Sequence, residues 1–165
     1  MVAVGRRPSA DLFVVSVGAD QREAAARRLA ALGQVTELSG NSGLLLLRVG
    51  RKAANPKSAW RRAAELLGKA GRAMPVLLDE AGQPLYPTGE VTVRFKRALS
   101  DKELRDFARA HGLSFARRNE FVREQAVFQP AKPEEKYLPD LIKEVAQSEE
   151  TKQAWANTLA QYTRY

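Results

Sequence analysis

Glu90-Val-Thr-Val-Arg-Phe-Lys96 is the stretch on which the fold turns: Val91, Val93 and Phe95 alternate with polar residues, the period of a strand with one face on a core. Shortly after it, Ser100 and Glu103 have the spacing of a capping box. Leu104, Phe107 and Ala108 then recur at helical spacing, and Gly112 supplies a left-handed stop. Leu113 to Val122 and Gln125 to Gln129 read as paired strands with a turn near Asn119 or Arg123. Pro130 to Pro133 breaks the chain. Lys136 to Ser148 carries Leu138, Leu141, Ile142 and Val145 at helical spacing, and Gln153 to Tyr162 reads as a last strand.

Upstream the same order of elements is legible. Asp11 to Gly18 is rich in β-branched and aromatic residues and reads as a strand. Asp20 with Glu23 reads as a second capping box, Ala25, Leu29 and Leu32 as a buried stripe, and Gly33 as a left-handed stop. Val35 to Leu38, the turn Ser39-Gly-Asn-Ser-Gly43 and Leu44 to Val49 make a hairpin. Asn55-Pro56 opens a helix whose buried side is Trp60, Ala63, Ala64 and Leu67, and Ala73 to Asp79 closes the unit. Glu80 to Gly89 has the glycine and proline density of a connector.

The two capping boxes lie 80 residues apart, with glycines 13 and 12 residues after them, which reads as an internal repeat. The expected fold is therefore α+β: two tandem ferredoxin-like β-α-β-β-α-β units, residues 1–82 and 83–165, each an antiparallel sheet with two helices on one face. The other sheet face is left for a partner, for the other half of the chain, or for water. In the second unit Arg94 and Lys96 point to that face if Val93 and Phe95 point inward.

With 165 residues and 44% hydrophobic content the chain can bury a core. It has no cysteine, which removes disulfides and thiolate metal sites. The N-terminus has two arginines, Arg6 and Arg7, but no apolar segment after them long enough for a secretory signal. A soluble, cytoplasmic protein without membrane contact is expected, unless a signal has been trimmed. The net charge of +8 is uneven: residues 1–84 carry 13 basic and 7 acidic groups, residues 85–165 carry 14 and 12. An excess of this kind favours acidic partners but says nothing about fold.

Catalytic constellations are hard to assemble from this composition. The single histidine, His111, falls at a helix end just before Gly112, where a cation suits the helix dipole. Asp79-Glu80, Glu134-Glu135 and Glu149-Glu150 are sequence neighbours, which do not converge on one substrate atom. Gly40 and Gly43 flank a hairpin turn and do not form a phosphate cradle. The chain reads as a non-catalytic binding module, with no catalytic residue, metal or cofactor. One candidate partner is nucleic acid, since Arg51, Lys52, Lys57, Arg61, Arg62, Lys69 and Arg72 surround one predicted helix and can neutralise phosphates. Against it, Leu44 to Val49 offers no aromatic for base stacking.

Residues from about 75 to 165 resemble the N-terminal propeptide domain of subtilisin-like serine proteases, especially the bacterial form. The likeness rests on Pro87-Thr-Gly-Glu-Val-Thr-Val-Arg-Phe-Lys96, on Ser100-Asp-Lys-Glu103 through His111-Gly-Leu113, and on Leu141 to Ala156 ending in Ala154-Trp-Ala156. Pro75-Val-Leu-Leu-Asp79 and Leu85-Tyr-Pro87 resemble what often precedes that opening strand. The chain departs from the family's pattern at Thr158 and Leu159, where a proline and an asparagine are usual. The resemblance implies a protease inhibitor or folding assistant that lays its open sheet on the enzyme and threads its C-terminal segment along the active-site cleft. Here that segment is Gln161, Tyr162, Thr163, Arg164 and Tyr165, with Tyr165 as the residue for a substrate pocket.

Overall fold

The computed structural model describes residues 6–38, 44–50 and 56–159. Among the described residues it is an α+β protein with two antiparallel sheets and four α-helices. The first sheet is built from β1 (Arg7–Val17), β2 (Gly33–Glu37), β3 (Leu44–Val49), β4 (Gly71–Leu78) and β5 (Pro84–Leu85), in the order β2-β3-β1-β4-β5. The second contains β6 (Pro87–Phe95), β7 (Leu113–Arg118), β8 (Gln125–Pro130) and β9 (Thr151–Thr158), in the order β7-β8-β6-β9. Helices α1 (Arg22–Leu29) and α2 (Pro56–Leu67) belong to the first sheet, α3 (Asp101–Ala110) and α4 (Leu138–Ala146) to the second. Among the described residues no helix is long and apolar enough to cross a membrane.

The alternation that marks β6 has the expected consequence. Val91, Val93 and Phe95 are buried with Ala126, Phe128, Ala154 and Ala156 from the neighbouring strands, and Leu104, Phe107, Leu141 and Val145 close this core from the helices. Phe95 meets Phe107 edge-on at 4.9 Å, an arrangement that adds to simple area burial. Phe13, Val15, Leu45 and Leu47 make the corresponding core of the first sheet with Ala25, Leu29, Trp60, Ala63 and Leu67. The indole of Trp60 donates to the Ala73 carbonyl at 2.9 Å, so its buried N–H is satisfied.

The halves are packed on each other. Val14, Met74, Val76 and Leu77 of the first sheet lie in the same buried cluster as the core of the second. Tyr137, just before α4, packs in return against Trp60 with ring centroids 5.5 Å apart. Burial and the nearby Asp140 carboxylate push the Tyr137 hydroxyl up to about 12, so it stays protonated. Lys57 of α2 pairs with Asp140 of α4, and Arg6 donates to the Ala156 carbonyl at 3.0 Å. Of the three fates open to the first sheet's helix-free face, its centre takes contact with the other half.

Two of the expected signals differ in outcome. Ser100 and Glu103 form the complete capping box of α3, and Gly112 follows at φ 67° as the left-handed stop. The Arg97 guanidinium and the Ser100 backbone amide hold the Glu103 carboxyl down at about 2. Asp20 instead falls in a 3-10 turn, Ala19–Gln21, and α1 begins at Arg22 with no side-chain cap. Gly33 is not a left-handed stop either. It lies in β2, where a Cβ would come within 2.0 Å of the Arg48 carbonyl oxygen, so close backbone approach requires the glycine. The stretch read as a connector carries β5 and the start of β6, and β7 is shorter than expected because a turn occupies 119–124. The last strand ends at Thr158.

Replacing Ser100 by Ala is expected to cost about 1 kcal/mol in urea unfolding, the usual worth of a cap. Asp20→Ala is expected to stay within about 0.5 kcal/mol, as for a surface residue with no cap bond. Equal losses at the two sites would contradict this assignment of caps.

Candidate binding face of the second sheet

Side chains on β6 that do not face the helices form the candidate site. Strand pairing sets them in rows: Val127, Thr92 and Trp155 lie side by side across β8, β6 and β9, and Gln125, Arg94 and Gln153 form the next row. Glu90 and Asn157 continue the face toward the point where the chain leaves the sheet. Thr92 and Val127 are buried at its centre, while Arg94, Trp155 and Gln153 are partly exposed around them. The face is thus mixed in chemistry, with an aromatic flanked by amides and a cation.

Its polar groups are held in place. Arg117 on β7 grips Glu90 with both guanidinium nitrogens, at 2.5 and 3.1 Å, the bidentate geometry that fixes both partners. The hydrogen bond from Arg117 lowers the Glu90 carboxyl below its ordinary range despite some desolvation, and a bond from Asn157 acts in the same direction. The Thr92 hydroxyl donates to the Asn157 side-chain carbonyl at 2.6 Å. Such a network gives a partner a preformed surface and lowers the ordering cost of binding.

The expected partner-binding residues divide by position. Arg94 lies on the helix-free face, as alternation requires, and Lys96 is exposed just beyond the end of β6. Gln161, Tyr162, Thr163, Arg164 and Tyr165 lie outside the described residues. The last described residue, Leu159, donates its amide to the Tyr86 carbonyl, at the opposite end of the face from Arg94.

The residues of the basic set differ in their surroundings. Arg51 and Lys52 lie outside the described residues. Lys57 is paired with Asp140, and Arg72 is partly buried with its guanidinium against Gly89, where burial lowers its pKa. Arg61, Arg62 and Lys69 remain exposed. His111 is the C-cap residue of α3 and packs against Phe107 with ring centroids 4.4 Å apart at a 45° tilt. Among the described residues no three His, Asp or Glu side chains gather as metal ligands.

Two residues of potential importance were not singled out from sequence as site residues. Trp155 appears there only as part of a family motif, yet it stands in the central row of the face. Phe121 is 92% exposed at the tip of the β7–β8 hairpin, where Asn119 Oδ1 accepts from the amides of Phe121 and Val122. An aromatic among charged turn residues, in Arg118-Asn-Glu-Phe-Val-Arg123, is the signal that could have found it.

Carbon-13 titration of the Glu90 carboxyl is expected to give a midpoint below the ordinary 4.5, rising toward that value in Arg117→Ala. Because the folded-state value is depressed, the associated stability is present above the unfolded midpoint and is lost as pH falls through the folded one. A midpoint that does not move in the variant would show that Arg117 does not hold Glu90 in solution. Searches of the sequence against family models and against characterised proteins return no match.

Proposed function

We propose that the chain is a non-catalytic protein-binding module made of two tandem ferredoxin-like units, acting as an inhibitor or folding assistant of a subtilisin-like serine protease. Support for the fold reading comes from the strand orders β2-β3-β1-β4 and β7-β8-β6-β9, which place corresponding strands of the two halves in corresponding positions. Support for the partner comes from the sequence resemblance of the second half.

The observation that carries the functional reading is the helix-free face of the second sheet. In its central row the partly exposed Trp155 stands beside the buried Thr92 and Val127 and offers an aromatic contact, the feature that binding hot spots favour. Arg94 and Lys96 stand at one end, and the chain continues from β9 at the other. In this reading the face docks on the enzyme, and Gln161 to Tyr165 enter its cleft as an extended segment recognised through main-chain hydrogen bonds.

The full chain is expected to inhibit a subtilisin-like protease. Truncation after Thr158 should weaken inhibition while preserving the fold by circular dichroism, and Trp155→Ala with Arg94→Glu should weaken it by about tenfold or more, as for loss of a hot-spot residue. Unchanged inhibition after truncation would remove the tail from the mechanism. Absence of both inhibition and binding by the full chain would overturn the reading.

A further inference from the structure

Among the described residues the two sheets present four edges, and three are closed by recognisable devices. β5 is two residues long and begins with a proline. β9 has Arg6 on its Ala156 carbonyl, with Ala154 and Ala156 buried. β7 has its register broken between Phe115 and Arg117 and carries two arginines, Arg117 and Arg118. Short length, side-chain covers, bulges and charges are the usual means of preventing strand addition.

Among the described residues β2 has neither proline nor bulge, and its one charged residue, Glu37, is neutralised by an ion pair with Arg22. Its sequence Gly33-Gln-Val-Thr-Glu37 contains no proline, lysine or arginine, pairs with β3 in unbroken register, and is largely exposed. The bonds Leu38 N–H to Leu44 carbonyl and Gly50 N–H to Leu32 carbonyl fix the antiparallel alternation. Residues 34 and 36 therefore point their backbone groups toward β3, and Gly33, Val35 and Glu37 point theirs outward. A groove between α1 and this strand is lined by Arg22, Ala26, Val35 and Leu45. Within it the Arg22 Nε is buried without an acceptor.

We infer that β2 is a self-association edge, and that its occupant is β2 of a second copy of this chain. The argument for a second copy is the strand's own register. Antiparallel pairing about a two-fold axis at Val35 sets Val35 opposite itself, Gly33 opposite Glu37 and Gln34 opposite Thr36. All three outward-pointing residues then meet outward-pointing residues, so their amides and carbonyls can be exchanged in full. The one charged residue of each strand faces a glycine, so no like charges oppose each other. The same patch serves both protomers, as a two-fold interface requires.

Because the chain has no cysteine, single substitutions test this cleanly. Directly opposed residues that exchange hydrogen bonds have Cα atoms about 5.5 Å apart, within disulfide reach. Val35→Cys in the full chain is expected to oxidise to a covalent dimer on the order of tenfold faster than Arg61→Cys, an exposed helix control, because pairing raises the effective thiol concentration. Gln34→Cys mixed with Thr36→Cys should likewise form the mixed dimer ahead of either homodimer. In sedimentation, the unmodified protein should rise from 18.2 kDa toward twice that mass with concentration, and Val35→Lys should keep it monomeric with its circular dichroism unchanged. Equal oxidation of Val35→Cys and Arg61→Cys, or a monomer at every concentration, would overturn the inference whatever the outcome with proteases.

Discussion

The passage of the chain from one sheet into the other within a few residues is the constraint on which the rest of the structure depends. Leu85 still pairs with Leu77 at the edge of the first sheet, while Val91 already lies between Phe128 and Ala156 at the centre of the second. A covalent link this short leaves the sheets little freedom to separate. Val76 and Leu77 of β4 join the second core, and Tyr137 joins the first. Gly89, in the middle of the passage, has φ 98°, and a Cβ there would come within 2.6 Å of the Arg72 guanidinium. The positive φ is what favours glycine there, since the guanidinium is the end of a flexible side chain.

Sequence reading succeeded where local chemistry and tertiary packing ask for the same thing. In α3 the cap at Ser100, the stripe Leu104, Phe107 and Ala108, and the stop at Gly112 all agree, and the helix forms as written. In α1 they do not agree. Asp20 and Glu23 have the right spacing, but the chain leaves β1 through a 3-10 turn that displaces the helix start past Asp20. Gly33 marked a boundary correctly for a different physical reason: it allows β3 to approach closely and does not bend the chain to the left. Spacing alone cannot distinguish these two uses of glycine, because one is local and the other depends on a strand that arrives later in the sequence.

The candidate face was legible to the extent that it depends on alternation. Once Val91, Val93 and Phe95 face the core, Arg94 must face away, and Thr92 with it. The neighbours of these residues were not legible, because register between strands sets Val127 and Trp155 beside Thr92 from positions 35 and 63 residues away. The partners of the basic residues around α2 were not legible for the same reason. Lys57 meets Asp140 and Arg72 meets Gly89, partners that lie 83 and 17 residues away in sequence.

Two sheets of matching strand order carry different chemistry on their helix-free faces, and this difference bears on what each can do. In the first, the row Leu46, Val14 and Met74 is apolar, and Val14 and Met74 are buried in the cluster shared with the second half. In the second, Thr92 occupies the centre of the row between Val127 and Trp155, with Arg94, Glu90 and Asn157 around it. An apolar face left in water favours burial at about 25 cal/mol per Å² of apolar surface, so it is suited to permanent packing. A mixed face with its polar groups already hydrogen-bonded tolerates water and can still exclude it when a partner arrives. One helix-free face is thus taken into the chain's own core while the other stays partly exposed, with the chemistry of the central residues deciding which is which.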